Sequence, residues 1–279
     1  MKFVLIFATV VLPGSLAQFA VHLQESGEFK LEYMQYKDPV ALPDKFSVCF
    51  RFQLGLERGP SNYIFSYSLP GNYDELNFYI RPETRTGSIC LEDSCGEFSL
   101  TGDLRSGYSL ICILVKDMYS QSTSVELFYD GKLAVSLIVN TIIPGGDEIT
   151  QGILILGQEQ DMHGGGFDIK QSFSGLISQF NIFNRIITEL QIQAMQDCSN
   201  ELSGELVSWD NFSWLIQGDI NLYPIEDTSI YCRTSLLAEL VSVPEPLDFS
   251  AADFTCNFLG GRIQAPGKEL SLLRQFIDD

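Results

Sequence analysis

The stretch SVELFYDGKLAVSLIV, residues 124–139, consists of two apolar runs separated by Asp130 and Gly131. A two-residue turn that follows the twist of antiparallel strands requires positive φ at both central residues, and Asp-Gly is one of the pairs that supply it. This stretch therefore predicts a β-hairpin and indicates an antiparallel fold.

Similar short runs recur along most of the chain, with turn residues between them. They are FSVCFRFQL (46–54), YIFSY (63–67), ELNFYI (75–80), YSLICILV (108–115), GILILGQE (152–159) and FSGLISQFNIF (173–183). This pattern is typical of a β-sandwich. One short helix is expected over Glu189–Met195, with Thr188 as its N-cap. The fold class predicted is all-β, an antiparallel jelly-roll sandwich with one short helix.

The first 17 residues have the pattern of a signal peptide. Lys2 precedes the apolar run FVLIFATVVL, and Ser15-Leu16-Ala17 forms a small-residue cleavage site before Gln18. The apolar run is shorter than the roughly 20 residues that span a bilayer. We therefore expect a secreted, extracellular protein without a membrane span.

The charge balance is acidic, with 36 Asp and Glu against 17 Lys and Arg and a formal net charge of −19. Such a surface repels phosphate backbones, which argues against a nucleic-acid partner. The excess of carboxylates has two interpretations, namely solubility or the binding of a divalent cation.

Seven cysteines in an oxidising compartment suggest three disulfides and one unpaired thiol. The pairs expected are Cys49–Cys112, Cys90–Cys95 and Cys198–Cys232, which leaves Cys256. Sequence alone leaves this connectivity open.

The region after Asp227 has a different character. Residues 228–243 read as a linker, and residues 244–279 contain two helix-period stretches separated by Gly260-Gly261. Fewer than 50 residues do not readily bury a core of their own. We expect an incomplete, partly α-helical second domain over 244–279.

The segment after the run ILIL is the candidate for chemistry. In an extended segment Glu159 and Asp161 project to the same side, and the glycines at 164–166 allow the chain to reverse. The oxygen donors that could then converge are Glu159, the Gln160 carbonyl, Asp161, Asp168 and Gln171. Ca²⁺ takes six to eight oxygens, so the loop is either a cation site or an ordinary solvated acidic loop.

The sequence ILGQEQDMHGGGFDIKQSFSGLISQFNIF (155–183) resembles the calcium-loop segment of the pentraxins. FSVCFRF and YIFSY are similar to the early strands of that family, FYDGKLA to its hairpin, and ELVSWDNFSWLIQGDINLYP to its closing strands. The resemblance implies a pentraxin-like domain over residues 18–227, with a concanavalin- or laminin-G-like sandwich and assembly into pentameric rings. The family signature around the second core cysteine is absent, since LICILVKD keeps only Cys112.

The resemblance also implies a double-calcium site, to which the NYDEL turn would add Asp74. The family has an Asp-Asn pair where this chain has Tyr73 and Asp74, and it usually has glutamate where this chain has Asp168. Four carboxylates would balance two Ca²⁺. Tyr79 falls at the position of the family's aromatic wall beside the calcium face. The implied function is calcium-dependent, lectin-like recognition of phosphorylated, anionic or carbohydrate ligands on cell or microbial surfaces, as in innate immunity.

The C-terminal sequence ADFTCNFLGGRIQAPGKELSLLRQF resembles the start of a C-type lectin-like domain, in which the first cysteine pairs near the far end. This agrees with an unpaired Cys256. Asn211-Phe212-Ser213 is a sequon for N-glycosylation.

Two other function classes compete with calcium-dependent recognition. Jelly-roll glucanases use Glu-x-Asp-x-x-Glu; here Glu159 and Asp161 match, but Gly164 replaces the acid, so we expect no enzyme activity. The alternative is a structural or adhesive extracellular module, or part of a receptor ectodomain, without calcium-dependent binding.

Overall fold

The computed structural model describes residues 18–26, 30–55, 59–140, 151–211, 213–225 and 228–231. It shows an all-β sandwich of two antiparallel seven-stranded sheets with one short α-helix. The predicted signal peptide (1–17) and residues 232–279, which include the predicted C-type lectin-like segment, lie outside the described residues.

The described residues form fourteen strands. They are β1 (Gln18–Leu23), β2 (Tyr33–Tyr36), β3 (Phe46–Leu54), β4 (Asn62–Leu69), β5 (Asn72–Arg81), β6 (Thr86–Leu91), β7 (Ser94–Ser99), β8 (Ser109–Lys116), β9 (Thr123–Tyr129), β10 (Lys132–Val139), β11 (Ile153–Leu156), β12 (Gly175–Phe183), β13 (Trp214–Gln217) and β14 (Asn221–Ile225). Sheet A has the order β10-β9-β8-β3-β12-β1-β14, and sheet B the order β13-β2-β11-β4-β5-β6-β7.

The main core lies between the two sheets, where alternate residues of each strand meet. Phe50 of sheet A contacts Phe65 and Phe78 of sheet B, with ring centroids 5.7 and 5.4 Å apart, and Phe180 of sheet A at 5.6 Å. All four rings are buried. Full burial of such a side chain stabilises the fold by about 1.5–3 kcal/mol, so this cluster is a main source of cohesion between the sheets.

The predicted hairpin and helix are both confirmed. Asp130 and Gly131 have φ values of 46° and 78° and join β9 to β10. The helix α1 spans Glu189–Gln196, and Thr188 caps it in a capping box with Gln191. The predicted strand over 46–54 coincides with β3.

Two of the predicted disulfides are present, and each joins residues that face one another on neighbouring strands. Cys49–Cys112 links β3 to β8, and Cys90–Cys95 links β6 to β7. Cys198 is also disulfide-bonded, but its predicted partner, Cys232, lies outside the described residues.

The packing of the sandwich continues beyond β14. Residues Thr228–Tyr231 form a 3₁₀ helix, and the Tyr231 side chain is fully buried. The Tyr231 hydroxyl lies 2.6 Å from Ser178 Oγ, and its ring packs edge-on against Tyr108 at 4.9 Å. Residues 228–231, which are predicted to belong to the linker, therefore pack against the sandwich. Within the described ranges, no helix combines the length and the apolar character that crossing a membrane would require.

Candidate functional site

The loop between β11 and β12, residues 157–174, contains most of the predicted calcium ligands. It reverses direction in a tight turn, in which Met162 N donates to Gly165 O (3.1 Å) and Gly165 N to Met162 O (2.9 Å). Gly164 and Gly166 have φ values of +72° and +75°, which other residues adopt only with strain. The glycines therefore close the loop as the sequence predicts.

Gly166 also brings the returning chain close to its start. A Cβ at Gly166 would lie 2.8 Å from the Cβ of Asp161 and 2.9 Å from Met162 N. Real Cβ atoms do not approach one another this closely. Only glycine therefore allows the outgoing and returning segments of the loop to pack together at this point.

The buried side chain of Gln160 fixes this loop to the sandwich. Its Oε1 accepts from Ser68 Oγ (2.8 Å) and from Gly164 N (3.0 Å). Its Nε2 donates to Ser66 O (3.0 Å) and to Ile153 O (3.2 Å). One amide thus connects β4, β11 and the glycine turn, so the positions of the flanking acidic residues are set by the sheet.

The two acidic residues beside Gln160 have different environments. Glu159 is only 5% exposed, whereas Asp161 is exposed. A buried carboxylate is stable only where hydrogen bonds or positive charge compensate it. Glu159 therefore lies at the inner side of the loop and Asp161 at the solvent side.

The returning half of the loop ends in a 3₁₀ turn, Ile169–Gln171, that Asp168 caps. Asp168 Oδ1 accepts from Lys170 N at 2.9 Å, and the carboxylate is exposed. A parallel bridge between Tyr63 and Ser172 attaches the end of the turn to β4. Gln171, which is half-buried, is therefore held beside the first residues of β4.

Asp74 lies near the start of β5, but the side chains of residues 72–75 are outside the described part of the structure. The backbone of β5 pairs with β4, the strand to which Gln160 and Ser172 are attached. The predicted second source of ligands is thus on the strand next to the one that anchors the loop.

Tyr79, the predicted aromatic wall, is buried in a cross-strand stack on sheet B. Its ring lies 4.8 Å from that of Tyr63, and the Arg81 guanidinium lies 5.0 Å above its centroid. Arg81 Nη2 donates to the Tyr79 hydroxyl (2.8 Å), and Arg81 also pairs with Glu97. Tyr79 is 7% exposed, so most of its surface is covered by these neighbours.

The donor types of this loop suit Ca²⁺, which prefers carboxylate, amide and carbonyl oxygens. Within the described residues, however, no three Asp, Glu, His or Cys side chains form a group that could hold a metal ion. A calcium site here would therefore depend also on donors of other kinds, namely the Gln171 amide, the Gln160 carbonyl and the β5 residues around Asp74.

The side chain of Gln160 and its serine partners were not predicted from the sequence as functional residues. The sequence indicates only that Gln160 lies between two acidic residues, which favours a role for its carbonyl. Its side-chain role depends on Ser66 and Ser68, more than 90 residues away. A clue does exist, because after Asn62 the strand β4 has two serines in a run that is otherwise apolar and aromatic. Asn211, the predicted glycosylation site, is exposed at the end of the 3₁₀ turn Trp209–Asn211.

Comparison with known proteins gives a consistent family relationship. The sequence profile described as the Pentaxin family matches residues 24–224. Neuronal pentraxin-2 from Cavia porcellus is 29% identical over 202 residues, which are 71% of this chain and 45% of that protein. Neuronal pentraxin-1 from Homo sapiens is 30% identical over 184 residues, which are 64% of this chain and 40% of that protein. The chain thus spans less than half the length of these relatives.

Among solved structures, the native heptameric SAP-like pentraxin from Limulus polyphemus superposes with a TM-score of 0.62 at 17% identity. The match covers 79% of this chain and 99% of that one. At this identity the likeness concerns the fold.

Proposed function

Because the chain belongs to the Pentaxin family, we propose that it is an extracellular recognition module that binds ligands through Ca²⁺ held by the 157–174 loop. The observation that carries this proposal is the buried carboxylate of Glu159, 5% exposed and two residues from the exposed Asp161. A divalent cation would supply positive charge to both groups. Gln160 between them holds the loop in place by hydrogen bonds to β4.

The residues that would hold Ca²⁺ are Glu159, Gln160 through its carbonyl, Asp161, Asp168 and Gln171, with Asp74 from β5. When bound, Ca²⁺ offers its remaining coordination positions to oxygens of a phosphate, a carboxylate or a sugar. A second ion would draw on the same set of oxygen donors. The ligand class proposed is therefore phosphorylated, anionic or carbohydrate groups on cell or microbial surfaces.

Tyr79 remains the proposed aromatic neighbour of the ligand. The Arg81 guanidinium covers one face of its ring and pairs with Glu97, so a ligand that reaches Tyr79 would also meet this ion pair.

Calcium titration of the purified protein tests the metal site directly. We expect millimolar Ca²⁺ to raise the thermal midpoint, since an ion that binds the folded state stabilises it, and we expect Mg²⁺ to do so much less. Asp161→Asn removes one charged donor at an exposed position and should weaken the affinity for Ca²⁺ by about tenfold or more. Asp219→Asn, which changes an exposed aspartate in the turn before β14, is the matched control. Equal calcium affinities of Asp161→Asn and wild type would contradict the proposed site.

The ligand is tested by a glycan and phospholipid array in the presence of Ca²⁺ and of EGTA. We expect EGTA to abolish binding to the array. We also expect Asp161→Asn to weaken that binding in proportion to its loss of affinity for Ca²⁺. Binding that EGTA leaves unchanged would assign recognition to another surface.

A structural or adhesive module is the second candidate, and one observation favours it. Within the described residues the carboxylates form no group of three, which is what an idle acidic loop would show. The calcium titration separates the two candidates, because a structural module would give neither heat nor a change in the thermal midpoint.

Several further properties belong to the same proposal. Secretion by cleavage before Gln18, a glycan on Asn211 and the absence of hydrolase activity stay predictions, as does a C-type lectin-like segment over 244–279. Self-assembly is proposed by analogy with the heptameric neighbour and with the pentamers implied by the resemblance. Sedimentation velocity of the purified protein would give the number of subunits.

A further inference from the structure

A second polar site lies on the opposite sheet from the loop. A cavity of about 210 Å³ lies where β1, β3 and β12 of sheet A meet the end of α1 and the segment 198–210. Arg51, Gln179, Glu201 and Asp210 are among the residues that line it. None of them belongs to the proposed calcium site.

Arg51 is the central group of this cavity. It is 1% exposed, and burial lowers its pKa to about 10, so it stays charged at neutral pH. Its guanidinium donates to Gln179 Oε1 (2.7 Å), to Tyr231 O (2.8 Å) and to Met195 O, with a longer contact to Cys198 Sγ at 3.9 Å. A guanidinium has five N–H donors, so these four acceptors leave one N–H for a ligand.

The charge of Arg51 is not balanced by a contacting carboxylate. In the part of the chain that the structure describes, no Asp or Glu lies within ion-pair distance of its guanidinium. Buried charges are usually paired, because an uncompensated one costs several kcal/mol. Asp130 and Glu201 act on Arg51 only from beyond ion-pair distance, so an anion in the adjacent cavity would supply a contacting partner.

The backbone of β12 is distorted at the same place. The pairing of β12 with β3 is interrupted between Ser178 and Asn181, and Gln179 has a φ of +51°. This conformation is strained for a residue with a side chain, and such bulges often re-aim a side chain beside a site. Here Gln179 accepts from Arg51 Nε and donates to Gln18 Oε1 (2.7 Å), so the distortion orients the guanidinium.

Two carboxylates line the same cavity as Arg51. Glu201 is exposed, and Asp210 is half-buried with its pKa raised by burial. They disfavour a ligand with several negative charges and favour one that carries a positive group apart from its negative group.

From this arrangement we propose that the cavity binds a small zwitterionic amino carboxylate, with its carboxylate on Arg51 and its ammonium towards Glu201 and Asp210. The cavity volume suits a molecule of amino-acid size, because larger ligands occupy pockets of roughly 300 Å³ or more. Binding at this site uses no residue of the 157–174 loop. It is therefore independent of the calcium-dependent function proposed above.

The test is a titration of the protein in EGTA with glycine, 4-aminobutyrate, acetate, methylammonium and methyl phosphate, followed by saturation-transfer NMR. We expect signals from one or both amino carboxylates, weaker signals from acetate, and none from methylammonium or methyl phosphate. Because EGTA removes Ca²⁺, failure of the calcium proposal would leave this result unchanged. Absence of transfer to every amino carboxylate, or equal transfer to methyl phosphate, would overturn the proposal.

Two variants assign the binding to the cavity. Glu201→Gln changes an exposed residue and should lower the affinity for the amino carboxylate by about tenfold while leaving that for acetate equal or higher. Ser203→Trp places a large ring at an exposed lining position and should abolish binding of both. Asp219→Asn serves again as the control with an unchanged affinity. Arg51 itself is not substituted, because it supports α1 and Tyr231 and its loss would affect folding as well as binding. Unaltered affinities in Glu201→Gln and Ser203→Trp would exclude this cavity as the site.

Discussion

Replacement of Gln160 by alanine tests whether one buried amide holds the candidate loop in place. The substitution removes the acceptor for Gly164 N and Ser68 Oγ, at 3.0 and 2.8 Å, and the donor to Ser66 O and Ile153 O. It leaves the backbone carbonyl, the proposed calcium donor, in place. The expected effect is therefore on the framework of the loop.

The magnitude follows from the groups left behind. A buried polar group that loses its partner costs about 1–3 kcal/mol, and a hydrogen bond that is merely removed costs about 0.5–1.5 kcal/mol. The Ser68 hydroxyl also lies 3.2 Å from His163 Nδ1, so it retains one hydrogen-bond partner. The largest cost therefore comes from Gly164 N, which loses its acceptor. We expect Gln160→Ala to lower the free energy of unfolding by about 2–4 kcal/mol.

The assay is urea denaturation in EGTA, in which a change of midpoint at constant slope reports stability. Gln217→Ala is the control, because Gln217 is exposed on the edge strand β13 and such surface changes stay within about 0.5 kcal/mol. If Gln160→Ala and Gln217→Ala had the same midpoint, the hydrogen bonds of Gln160 would not be what fixes the loop.

Three other perturbations have expected outcomes. Thr188→Ala removes the capping box of α1 and should cost about 1 kcal/mol in urea denaturation; no change would deny the cap a stabilising role. Gly166→Ala should destabilise by about 1–3 kcal/mol, because its φ is +75° and the new Cβ would meet Asp161. Gly71 has a similar φ, but a Cβ there would lie in open space. If Gly71→Ala and Gly166→Ala lost the same stability, crowding in the loop would be excluded as a cause of the effect at Gly166. Burial lowers the pKa of His22, so the folded state favours the neutral imidazole, and the contribution of His22 to stability is full above about pH 6.5 and lost as the pH falls. The variant His22→Asn should therefore lose less stability than the wild type between about pH 7.5 and 5.5. An equal loss in both proteins would contradict this.

The sequence predicts those secondary-structure elements that are determined by residues close together in the chain. The hairpin depends on Asp130-Gly131, and α1 depends on Thr188 with Gln191 three residues later. The alternating run of β3 is likewise self-contained. By contrast, β7 includes Gly96 and exposed polar residues, so its strand character comes from pairing with β6 through the Cys90–Cys95 bridge.

The candidate sites are less accessible to sequence reasoning, since their partners are distant along the chain. In β3, Phe50 and Phe52 face the core between the sheets, and Arg51 lies on the outer side of sheet A. It is nevertheless buried, because Met195 and Tyr231 cover it from 144 and 180 residues away. Only the fold brings these groups together, and the same holds for Gln160 and Ser68.

The position of β1 has a consequence for how the chain is made. This strand lies between β12 and β14, and its residues pair with Leu176–Ser178 on one side and with 221–225 on the other. During synthesis β1 leaves the ribosome before the other strands of its sheet. More than 150 further residues must be synthesised before its main-chain groups can pair with β12. Contacts of such long range are slow to form and leave strand edges open meanwhile. Sheet A would therefore close only after synthesis of the domain is nearly complete, and a chaperone that shields β1 during translation would raise the yield of folded protein.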